Sequence, residues 1–179
     1  MKILAISEHY FPKVGGTVNY THKILNKLSE LGHEITLLVP GYGPELNNFD
    51  KAFYEIIHIN AGYASDEDPT RKQRYLFVKK TQEYIVNKIN QGDKPDLIHV
   101  LFGLYVMEIL NLKIFKNLKI PCIATVHNIP PQECRKTFPK TKLYKKFFEE
   151  IRLKIVKFKN IYRLKRYSYN CYIVPSIPV

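Results

Sequence analysis

Short apolar runs alternate with stretches of helical period along this chain, and that alternation leaves few folds open to it. Lys2 to Ile6 reads as a strand beginning at the N-terminus, followed by a loop containing Pro12 and Gly15-Gly16. Val18 to Leu31 reads as a helix, because Ile24, Leu25, Leu28 and Leu31 recur at helical spacing and Gly32 is placed to end it. Further strands are predicted over Ile35 to Val39, Tyr54 to Ile59, Asp96 to Phe102, Pro121 to Val126 and Tyr172 to Val174. Between them the pattern predicts helices over Arg71 to Asn90, ended by Gly92, over Leu104 to Asn117, and over a long region from Lys142 to about Tyr169.

Strands that are apolar on both faces and joined by helices predict an α/β fold: a Rossmann-like, doubly wound, mostly parallel sheet covered on both sides. Ligands of such sheets bind beyond the carboxyl ends of the strands. One rim should therefore gather Ser7 to Thr17, Pro40 to Tyr42, His99 to Gly103 and His127-Asn128. The 179 residues suit a single domain.

The same residues exclude several classes. Ser7-Glu8-His9 interrupts the first apolar run well short of a secretory signal, and the longest apolar stretch, Leu97 to Met107, is too short to span a bilayer. A cytoplasmic, soluble or peripheral protein is expected. Cys122, Cys134 and Cys171 have neither CxxC nor Cys-His ligand spacing, so reduced thiols are expected and no metal site. The net charge of +12 is local. Arg135 to Arg166 carries 13 basic and 2 acidic residues, whereas the remainder is nearly balanced.

Among residues that could carry chemistry, Gly15-Gly16-Thr17 precedes a helix at the first strand's rim. Two readings of the pair stand. It could let backbone N–H groups approach an anion, or it could serve a turn that needs positive φ. It matches neither GxGxxG nor a P-loop. His127 follows the fifth predicted strand, where an imidazole could bond a sugar hydroxyl or stabilise developing charge, or simply bond nearby backbone. Glu8, His9 and Asn128 are further candidates for the cleft rim. His99 lies inside a strand and reads more naturally as a satisfied core histidine. Asp66 and Asp68 sit in a loop that reads as solvated.

Several ordered segments carry a resemblance. Lys2-Ile3-Leu4-Ala5-Ile6 leads through Tyr10-Phe11-Pro12 to Gly15-Gly16, and then to Leu31-Gly32-His33-Glu34-Ile35-Thr36-Leu37-Leu38. Pro95 to His99, Ile120-Pro121, Thr125 to Asn128 and Tyr172 to Ser176 continue the series. Together they resemble the N-terminal domain of GT-B fold glycosyltransferases of family 4, over essentially the whole chain. The resemblance implies a retaining, metal-independent transfer from a UDP- or GDP-sugar co-substrate to a glycan or lipid-linked acceptor, with no other cofactor. It assigns Gly15, Gly16 and Thr17 to the loop near the donor diphosphate and acceptor, and His127 to the donor sugar as the catalytic residue. It also implies a C-terminal donor-binding domain, in cis or in trans, without which residues 1–179 are expected to be inactive. Val18 departs from the Glu or Gln common after the glycine pair, and Leu101 stands where a second histidine is common.

The basic region has its own pattern. Tyr144, Phe148, Ile151, Ile155, Phe158 and Tyr162 form an apolar helical stripe, flanked by Lys145, Lys146, Arg152, Lys154, Lys157, Arg163, Lys165 and Arg166. Attachment to an anionic membrane surface, at about 1 kcal/mol per basic residue near the surface, competes with a core-packed helix whose lysine face is solvated. No recognised nucleic-acid module appears. Two other functions share the fold-level features: half of a GT-B-like nucleotide-sugar epimerase, and a non-catalytic basic module that binds membrane surfaces.

Overall fold

The computed structural model describes residues 1–13, 15–42, 52–64, 67–102, 106–111, 113–125, 158 and 171–173. Six strands form one sheet: β1 (Lys2–Ser7), β2 (Glu34–Pro40), β3 (Glu55–Ile59), β4 (Leu97–Phe102), β5 (Cys122–Thr125) and β6 (Cys171–Ile173). Their order is β3-β2-β1-β4-β5-β6 and every neighbouring pair is parallel. The predicted doubly wound sheet is therefore present, and it is wholly parallel where mostly parallel was expected.

Alternation along the central strands builds a core on each face. Leu4 and Ile6 of β1 join Leu38, Ile98 and Val100 on one face, packed by Phe77, Val78 and Ile85 of α2 (Arg71–Asn90). Ile3 and Ala5 join Ile35, Leu37, Val39 and Leu101 on the other, packed by Val18 and Leu25 of α1 (Gly16–Glu30). Side chains as deeply buried as Leu25 and Phe77 contribute roughly 2–3 kcal/mol each. Both helices end as their glycines predict: Gly32 and Gly92 adopt φ of 83° and 89°, conformations that a Cβ would strain. The start of α2 is a capping box, in which the Thr70 hydroxyl accepts the Gln73 N–H while the Gln73 side chain accepts the Thr70 N–H.

Element bounds shift from the sequence expectation, most of them by one residue. The first helix begins at Gly16, two residues early. The stretch predicted as one helix over Leu104 to Asn117 is a 3-10 segment, Val106–Asn111, and then a short α3, Lys113–Asn117. In a 3-10 turn residues three apart eclipse, which lets Val106 and Ile109 bury side by side. The third predicted strand begins at Glu55, because Tyr54 is drawn into a hydrogen-bonded cluster described below. The long helix predicted from Lys142 lies outside the described residues apart from Phe158, which is helical and exposed. Cys122 is a buried thiol whose pKa burial pushes up to about 11.

Candidate functional site

Strand order reverses between β1 and β4, so the crevice of this sheet opens beyond Ser7 and Phe102. The β1–β4 register shifts between Ile6 and Ser7, a local irregularity at the point where the chain leaves the sheet. Ser7 is buried and its Oγ donates to the His9 carbonyl at 2.7 Å, which fixes the first turn of the rim.

Glu8 follows and is 3% exposed. Its carboxylate pairs with the Arg74 Nε at 2.7 Å, an ion pair between the end of β1 and the first turn of α2. Burial raises the Glu8 pKa above its ordinary value, opposed by Arg74, by Lys13 and by the Tyr63 hydroxyl. Tyr63 is buried against Tyr42 and Phe77, with ring centroids 6.2 and 5.9 Å away. Burial and the nearby Glu8 charge push the Tyr63 phenol well up, and burial pushes Tyr42 up to about 12. Lys13 donates to the Glu67 carbonyl at 2.5 Å, and its ammonium lies 6.0 Å from the Tyr42 ring centroid.

His9 is half-buried beside this cluster. Burial, then the Lys13 and Arg74 charges, lower its pKa to about 4, with exposed Asp68 opposing them. A neutral imidazole at physiological pH is the consequence, able to donate one hydrogen bond and accept another. Tyr10 turns into the opposite core. Its hydroxyl bonds His22 Nδ1 at 3.0 Å and the Tyr54 hydroxyl, and Tyr54 in turn meets His22 Nδ1 at 3.1 Å.

Gly15 is the N-cap of α1, and Gly16 opens that helix. Gly15 has φ 174° and ψ 169°, an extended backbone that any residue adopts, and Gly16 is not among the positive-φ glycines. The reading of this pair as a turn requiring positive φ is thereby corrected. Among the described residues, a Cβ on either would meet nothing within 4 Å. Thr17 is half-buried, whereas Val18 turns into the core. That orientation explains why a charged or amide side chain is missing at Val18. Leu101 is likewise a core residue.

His99 is buried and shares a 2.8 Å hydrogen bond between its Nε2 and Thr125 Oγ1 across β4 and β5, as expected of a satisfied core histidine. His127, Asn128 and the basic residues from Lys145 to Arg166 lie outside the described residues. Sequence reasoning brought Glu8, His9, Gly15 and Tyr42 to this rim but missed Arg74, Tyr63 and the His22 cluster. No local signal marks these, because each is joined to the rim only by folding. A separate recess at the amino ends of β1 to β3 is lined by Lys2, Glu34, Glu55, Lys88 and Asp93. Its charges pair mutually, with Lys2 3.0 Å from Asp93 and Lys88 3.4 Å from it. It lies at the opposite end of the strands from the rim. Among the described residues no group of three or more His, Cys, Asp or Glu side chains could hold a metal ion, and no helix is long and apolar enough to cross a membrane.

A wholly parallel, doubly wound sheet with its crevice at this rim is the architecture of the N-terminal domain of GT-B glycosyltransferases. The chain belongs to glycosyltransferase family 4, whose profile matches residues 14–177. Sucrose-phosphate synthase from Thermosynechococcus elongatus superposes with a TM-score of 0.58 at 15% identity, over 97% of this chain and 47% of that one. The catalytic domain of starch synthase IV from Arabidopsis thaliana, bound to ADP and acarbose, gives 0.57 at 16% identity, over 72% and 34%. Os79 from O. sativa in complex with UDP gives 0.52 at 12%, over 70% and 29%. The chain thus spans between about a third and a half of these enzymes' lengths. No curated protein sequence matches it.

Proposed function

We propose that this chain is the acceptor-side half of a retaining, metal-independent glycosyltransferase, which moves a sugar from a UDP- or GDP-type nucleotide-sugar to a glycan or lipid-linked acceptor. The observation that carries this reading is the open start of α1 at the switch point. Neither backbone conformation nor packing against the described residues requires glycine at Gly15 and Gly16, and a ligand approaching from outside the sheet is a reading that suits this. The uncapped N–H groups of the first turn are suited to the negative charge of a departing diphosphate. His127, two residues past β5 in sequence, is assigned to the donor sugar, with neutral His9 and buried Glu8 at the rim and Asn128 beside it.

One wall of a cleft neither excludes water nor surrounds a transition state. The 179 residues alone are therefore expected to be inactive and to need a donor-binding half in cis or in trans. Transfer assays with UDP- and GDP-sugars, on the chain alone and joined to such a half, test this reading. Activity only in the joined form is expected, and robust turnover by the chain alone would overturn the half-enzyme reading. Epimerisation of the nucleotide-sugar without transfer would favour the epimerase alternative.

The concentration of positive charge between Arg135 and Arg166 supports a peripheral site on an anionic membrane facing the cytoplasm. Co-sedimentation with anionic but not neutral liposomes is the expected result. Equal recovery with both would leave the basic segment as a solvated face.

A further inference from the structure

The rim segment after β1 is anchored on both faces of the sheet. Glu8 is tied to Arg74 of α2. Two residues on, Tyr10, only 1% exposed, is tied to His22 of α1 and to Tyr54 ahead of β3. The second anchor contains a proton whose position can be deduced. The Phe53 backbone N–H donates to Asn26 Oδ1 at 3.2 Å, and a backbone amide cannot accept, so this contact fixes which end of the Asn26 side chain is oxygen. The Asn26 Nδ2 therefore faces His22 Nε2, at 3.0 Å. An amide nitrogen presents only hydrogens, so Nε2 must offer a lone pair and the imidazole proton must sit on Nδ1. There it donates toward the Tyr10 and Tyr54 hydroxyls at 3.0 and 3.1 Å, which also bond each other. Phe11 closes the group, edge-on to the His22 ring at 5.4 Å.

We propose that His22 is a positioning residue for the rim, locked by Asn26 as the neutral Nδ1–H imidazole, and that this lock holds the Glu8–Lys13 segment in register with the cleft. Any other protonation state of His22 sets hydrogen against hydrogen at Asn26 or removes the donor that Tyr10 and Tyr54 share. The functional importance of the segment rests on the glycosyltransferase reading, whereas the lock itself does not.

The test is nitrogen-15 NMR of the His22 ring in the 179-residue chain, together with amide hydrogen exchange at His9, Tyr10, Phe11 and Lys13. The wild type is expected to show protonated Nδ1 and unprotonated Nε2. Asn26→Leu removes the amide hydrogen that holds Nε2 as an acceptor and is expected to free the ring from the Nδ1–H form, with exchange at the four amides rising tenfold or more. Tyr54→Phe, a milder change, should raise the same exchange while leaving the tautomer intact. A wild-type ring protonated at Nε2, or exchange unaltered in both variants, would overturn the proposal. In the joined two-domain form, Asn26→Leu should lower kcat about tenfold with little change in donor KM. If the wild type transfers no sugar at all, the functional reading fails, and the ring spectrum still decides the lock.

Discussion

Glu8 Oε1 and Arg74 Nε stand 2.7 Å apart, joining the last turn-out of β1 to the first turn of α2 across 66 residues of sequence. That first turn carries Arg71, Lys72 and Arg74 and no acidic residue, a poor match for the positive end of a helix dipole. Glu8 supplies from another element the negative charge that the turn lacks.

Removing one partner of this pair leaves the other charge poorly compensated. Arg74→Met is expected to cost about 3 kcal/mol at neutral pH, and Glu8→Gln less, because it removes the buried charge itself. Burial holds the Glu8 pKa above 4.5 despite Arg74. Its contribution to stability is thus fully present below 4.5 and is lost as pH rises through the folded-state value. Urea unfolding of Glu8→Gln across that window should show a flatter pH dependence than the wild type.

His9 titrates with the opposite sign. Its folded-state pKa of about 4 lies below the ordinary 6.5, so its contribution is present above 6.5 and is lost as pH falls toward 4. The loss should be about 2 kcal/mol after allowing for solvent screening of a half-buried ring. His9→Gln should abolish that acid-side loss, and the His9 ring proton should titrate near 4 when followed by NMR.

The glycines separate into two kinds by experiment. Gly32→Ala forces a side chain into φ of 83° and should destabilise by about 1 kcal/mol. Gly15→Ala and Gly16→Ala meet none of the described residues within 4 Å and should leave the melting temperature unchanged or slightly raised. If the functional reading holds, the same two variants should lower transfer by the joined enzyme at least tenfold.

Thr125→Val deletes the partner of the buried His99 Nε2 while keeping its volume. A cost of about 1–3 kcal/mol is expected, measured by chemical unfolding.

Local pattern was enough for the order of the described strands and of α1 and α2, the glycine stops at Gly32 and Gly92, the character of His99 and the family. Each of these is written in local periodicity, in the backbone demands of single residues or in the ordered run of motifs. Where local pattern was insufficient, it failed for a stated reason. A helical period over Leu104 to Asn117 does not distinguish an α-turn from the tighter 3-10 turn that eclipses Val106 and Ile109. Likewise, Gly15-Gly16 reads equally as a strained turn or as an open approach until its φ and surroundings are known. The surroundings of the rim came from long-range contact alone. Folding brought Arg74 and Tyr63 to Glu8, and it brought His22 and Tyr54 to Tyr10. Those contacts arise where a parallel sheet sets distant crossovers side by side, and ionisation and proton position at the rim depend on these neighbours rather than on the sequence adjacent to it.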